Sequence, residues 1–202
     1  MKKDSDYLQD ISEIRSIMEK STRFLALSGL SGVMAGIYAL AGSAAAYWLI
    51  ESSKNNALTN NGDLLTWLLF DALVVLILAL GTGIYLSWRK AQHQGIRFWD
   101  PVTRRMLFYL MIPLLTGGLL VLILMNKGYF YLMAPGTLIF YGLALVNASK
   151  FTVREVLFLG LSEISLGLLS AYISGNGLAY WALGFGVLHI VFGSVMYYKY
   201  ER

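Results

Sequence analysis

Leu64–Trp88 reads LLTWLLFDALVVLILALGTGIYLSW, twenty-five residues with a single charge, Asp71. An α-helix rises 1.5 Å per residue, so roughly 20 apolar residues cross the hydrocarbon core of a bilayer. A surface helix of a soluble domain would show a polar face at a period of 3.6. None is present here, and the stretch predicts a transmembrane helix. Arg89 and Lys90 follow at once and mark one of its ends.

Working outward, five more apolar runs of comparable length appear. The predicted spans are 24–50, 64–88, 103–125, 129–148, 154–173 and 178–198. Composition agrees: 57% of the 202 residues are hydrophobic and 14% are charged, where a soluble domain carries about 25%. Mean hydropathy is +0.60. The reading is an all-α polytopic membrane bundle of six transmembrane helices, residues 24–202, preceded by an N-terminal segment, residues 1–23. With no cysteine in the chain, disulfides, thiolate metal sites and cysteine nucleophiles are excluded.

Charge sets the expected orientation. Fourteen of the sixteen Lys and Arg residues flank one side of the predicted spans, and only Lys54 and Lys127 flank the other. The positive-inside rule places the fourteen in the cytoplasm, so both termini are expected inside and the protein in an inner membrane. All five tryptophans lie at span ends, where aromatic belts sit. The basic stretch 89–105 can attract lipid phosphates, although topology alone accounts for its charge. Positive charge explained this way is no signature of nucleic-acid binding. The expected partners are membrane lipids and a small molecule or ion of unknown identity.

Residues 5–20 put Leu8, Ile11, Ile14 and Met18 on one helical face among charged residues, as an amphipathic helix on the membrane surface would. Asp100-Pro101 predicts a capped helix start. Thr152-Val153-Arg154-Glu155 has the pattern of a capping box. Pro113 and Pro135-Gly136 predict kinks in spans 3 and 4. In span 1, Ser28, Gly32 and Gly36 recur every four residues, a stripe that lets helix backbones approach closely. It suits packing inside the bundle, or a homo-oligomer seam.

Three ionisable residues fall inside spans: Asp71, Glu163 and His189. Each is expensive in lipid and should face the bundle interior. Counting from the span ends, Glu163 and His189 lie about 15 and 14 Å deep, and Asp71 about 11 Å. Spans 5 and 6 are joined by a tight turn, so Glu163 and His189 are expected to meet near the midplane. They form either a protonatable site or a polar clasp. Asn147, Tyr141, Ser162, Ser165 and Ser170 are candidates to extend the network.

No Walker loop, dinucleotide fingerprint or metalloprotease motif occurs. With His93 in a loop, the two histidines cannot supply bis-histidine haem ligation in the membrane. No catalytic residue, metal site or cofactor is expected. The leading expectation is a small transporter or permeation protein with a protonatable intramembrane site. Alternatives are a non-catalytic scaffold or sensor subunit acting through helix contacts, and, last, an intramembrane lipid-modifying enzyme.

Four stretches carry a resemblance: Glu19–Leu40 (EKSTRFLALSGLSGVMAGIYAL), Trp99–Gly118 (WDPVTRRMLFYLMIPLLTGG), Leu138–Thr152 (LIFYGLALVNASKFT) and Ala182–Gly193 (ALGFGVLHIVFG). Together they resemble a family of small six-span bacterial integral membrane proteins without an established activity. The resemblance implies the fold and no chemistry. His189 and Asn147 lie within it.

Overall fold

The computed structural model describes residues 24, 26–55, 61–173 and 175–202, with no side-chain description for 55–62. Residues 1–23, and with them the predicted amphipathic helix, lie outside the described residues. Six helices are long and apolar enough to cross a membrane, so the chain is a multi-pass membrane protein by length and composition. They are α1 (Gly29–Asn55), α2 (Asn61–His93), α3 (Pro101–Asn126), α4 (Met133–Ala148), α5 (Arg154–Tyr172) and α6 (Gly177–Tyr200). A 3₁₀ turn, Phe130–Leu132, leads into α4. Helix α6 is composite: α-helical over Gly177–Trp181 and His189–Tyr200, π-helical over Ala182–Leu188.

The helices pack in the order α2, α1, α6, α5, α4, α3, with α4 also touching the start of α6. Four of them form the body of the bundle, and α2 and α3 flank it. The flanking role is visible in the surface. Within its most apolar 18 residues α2 buries none, and it presents Phe70, Leu73, Ile77, Leu80 and Ile84 outward. In a bilayer that surface meets acyl chains, so its exposure carries no penalty.

Backbone approach holds the body together. A Cβ placed on Gly36 would lie 2.5 Å from the Gly186 carbonyl oxygen and 2.7 Å from Ile190. Gly32 lies against Gly193 in the same way. The stripe in α1 is therefore spent on α6 within the protomer. Gly142 of α4 and Gly160 of α5 make the matching seam on the other side, each facing the other's carbonyl.

Helix ends follow the local sequence in part. Asp100 caps α3 by accepting from the Thr103 amide at 2.6 Å, with Pro101 at the first helical position. Helices α2 and α3 end on left-handed glycines, Gly95 (φ 65°) and Gly128 (φ 78°). The next amides, of Ile96 and Tyr129, reach back to Ala91 and Leu124, satisfying carbonyls the helix leaves free. Three expectations differ. The capping box at the start of α5 does not form: Thr152 Oγ1 donates to the Phe24 carbonyl at 2.9 Å, and Glu155 accepts from Lys199 and Tyr200. Pro135 falls in the first turn of α4, where its missing N–H has no intrahelical partner to lose, so it enforces no kink. Helix α1 begins at Gly29 rather than near 24. Phe24 instead runs across the end of the bundle, its amide bonded to Phe151 at 2.6 Å, and packs with Ala26, Ala91, Met106 and Ala148.

The end of the bundle that carries most Lys and Arg is tied by ion pairs. Glu201 accepts from Lys90 Nζ (3.2 Å), Ser28 Oγ (3.1 Å) and the Gly29 amide (2.5 Å). Its charge thereby sits at the N-terminus of α1, where the helix dipole favours an anion. Lys90 also donates to the Leu27 carbonyl at 2.7 Å.

Candidate functional site

Glu163 occupies a core position of α5. Its buried neighbours on the helix are Val156, Leu159, Gly160, Gly167 and Ser170, the i, i+3, i+4, i+7 spacing of an inward face. A carboxylate stands where an aliphatic residue would complete the stripe, and it is 0% exposed. Opposite it lies the π-helical part of α6. A Cβ on Gly184 would sit 2.5 Å from Glu163 Oε2 and 2.6 Å from Leu138, so a larger residue there would push the carboxylate and Leu138 aside. π-Helical turns within α-helices are rare and recur at functional sites.

His189, 7% exposed, is the first residue of the α-helix that follows. Its Nδ1 lies 3.0 Å from the Gly184 carbonyl oxygen and 3.4 Å from Glu163 Oε1. A carbonyl oxygen can only accept, so Nδ1 carries a proton and donates to Gly184. In the neutral ring Nε2 then accepts, and Tyr141 of α4, 2.8 Å away, donates its phenolic hydrogen to it. The imidazole is walled by aromatic rings: Phe185 stacks on it at 5.9 Å and 16°, and Tyr141 lies 5.4 Å away.

The ion-pair distance and the hydrogen-bond geometry give different pictures of Glu163. At 3.4 Å it is within Coulombic reach of His189, yet neither carboxylate oxygen has a hydrogen-bond partner among the described residues. The geometry decides, because the Nδ1 proton is directed at Gly184. Ser170 Oγ, also buried, is likewise unpartnered. It lies seven residues on, on the same face and about 10 Å farther along α5.

The structure thus brings together Glu163, His189 and Tyr141. It leaves the other candidates outside. Asp71 is half-buried on α2, its carboxylate beside Gly42 of α1. Asn147 is half-buried near the end of α4 and makes no hydrogen bond to Glu163 or His189. Ser165 bonds back to its own helix at Leu161. Gly32 and Gly36 are packing residues of the α1–α6 seam. Gly184 is the residue that sequence reasoning missed; its only mark was a glycine five positions before a buried histidine.

Neither of the two surface hollows described reaches this site. One is lined by Pro101, Arg104, Arg105, Phe108, Tyr109 and Phe151, the other by α6 residues from Ile190 to Lys199. No family model, curated protein or solved structure matches the chain.

Proposed function

We propose that the chain is a small transporter or permeation protein of a bacterial inner membrane, with both termini in the cytoplasm. Glu163, His189 and Tyr141 would form its protonatable centre. The observation that carries this reading is the Glu163 carboxyl: fully buried, halfway along α5, with both oxygens lacking a hydrogen-bond partner among the described residues. Buried polar groups in folded proteins are nearly always paired, and those left over call for an explanation such as catalysis or transport.

The chemistry follows from charge balance. A carboxylic acid beside a neutral imidazole and a carboxylate beside an imidazolium have the same net charge, zero. Moving the proton between them therefore costs no net charge in the bundle. Losing it outright leaves a net negative charge, and gaining a second leaves a net positive one. Either is costly in a membrane interior. Release of the proton is thereby coupled to arrival of a cation or to opening toward water. On this reading Glu163, 0% exposed, is closed off as it would be in an occluded state. The seal also supports a second reading, a closed scaffold whose polar pair fixes the helices.

Purified protein reconstituted in liposomes separates the two. Under an imposed pH gradient the transport reading predicts proton flux that Glu163→Gln abolishes while fold and insertion are retained. Flux equal in both proteins, or absent from the native one across the gradient, would leave the scaffold reading standing.

A further inference from the structure

The hollow at the start of α3 is an open depression of about 600 Å³. Arg104 and Arg105, adjacent on the first turns of the helix, both line it, with Phe108 and Tyr109 one turn farther in. Phe151, from the turn after α4, closes the side, its ring stacked on Tyr109 at 5.4 Å and 16°. No acidic side chain lines the hollow, and neither arginine forms an ion pair among the described residues. By contrast Lys90 and Lys199, at the same end of the bundle, are both held by carboxylates. Two exposed guanidiniums thus share one concavity, with no ion-pair partner among the described residues.

Guanidinium forks match the oxygens of a phosphate in pairs, and such charge-assisted bonds are about twice as strong as neutral ones. The surroundings say where the phosphate comes from. Below Phe108 the outward face of α3 continues as Ile112, Leu115 and Leu119, each at least half exposed. These residues recur at helical spacing, so an apolar track runs from the arginines along the bilayer-facing side of the helix.

We propose that this hollow is a binding site for one anionic glycerophospholipid, its phosphate held by Arg104 and Arg105 and an acyl chain laid along Phe108, Ile112, Leu115 and Leu119. The site is separate from Glu163 and does not rest on the transport reading. It is more than the general attraction of a basic loop for a negative leaflet, because it assigns the preference to two particular arginines.

Native mass spectrometry of the full chain in detergent, titrated with phosphatidylglycerol and with phosphatidylcholine, tests it. One phosphatidylglycerol should be retained in preference to phosphatidylcholine. Arg104→Gln/Arg105→Gln should weaken that adduct at least about tenfold, as loss of bonds to a charged group does. Arg89→Gln/Arg97→Gln, which removes the same charge from exposed positions outside the hollow, should leave it unchanged. Equal weakening by both pairs would reduce the effect to net charge and overturn the proposal. So would inorganic phosphate displacing the lipid at equal concentration, which would mark a soluble-anion site. If the glutamine pair does not fold, Arg104→Lys/Arg105→Lys keeps the charge and loses the fork; undiminished phosphatidylglycerol binding by it would equally overturn the assignment.

Discussion

At the scale of residues, the site is asymmetric. His189 is satisfied without Glu163, by Gly184 and Tyr141, whereas Glu163 has no hydrogen bond to lose among the described residues. Glu163→Leu should therefore leave stability unchanged or raise it, while His189→Ala should cost about 1–3 kcal/mol by leaving the Tyr141 hydroxyl without a partner and opening a hole beside Phe185. Unfolding in mixed detergent measures both. A loss of about 3–5 kcal/mol for Glu163→Leu, the usual cost of breaking a buried pair, would show the carboxylate to be structural. Much of this was legible beforehand. Depth counting put Glu163 and His189 at the same level, since rise per residue is fixed and the turn between α5 and α6 is short. Their bonding was not legible. It depends on the π-helical turn that aims the Gly184 carbonyl at the imidazole, and no periodicity in ALGFGVL announces that turn.

At the scale of elements, close backbone approach orders the bundle, and not every glycine takes part. Gly36 faces the Gly186 carbonyl, whereas Gly81 of α2 has open space around it. Gly36→Leu should destabilise by about 1–3 kcal/mol through overpacking, with Gly81→Leu neutral or slightly stabilising because a helix former replaces glycine. Thermal melts of the two variants check this, and equal shifts would contradict the α1–α6 seam. The stripe in span 1 was readable from its four-residue spacing; its partner was not, because α6 is the most distant helix in the chain and glycine spacing carries no address. The failed capping box teaches the same point. Thr152 and Glu155 have the right separation, but tertiary partners, Phe24 for one and Lys199 and Tyr200 for the other, take both side chains.

At the scale of the whole molecule, four helices make the body and two flank it with almost wholly exposed apolar surfaces, and ion pairs tie the basic end. Reporter fusions after Lys90, Lys150 and Arg202 should report cytoplasm, and fusions within 51–63 the outside; one reversed result would overturn the proposed orientation. The central claim, that the buried Glu163–His189 centre exchanges its proton with water, concerns the molecule as a gated whole. Its most direct test is infrared spectroscopy of the reconstituted protein, following the Glu163 carboxyl after transfer to deuterated buffer at two pH values. The account predicts bands, identified by their loss in Glu163→Gln, that respond to pH and shift as deuterium arrives, faster where the protein transports. Bands that respond to neither pH nor deuterium, in folded protein whose backbone amides at the helix ends do exchange, would contradict it.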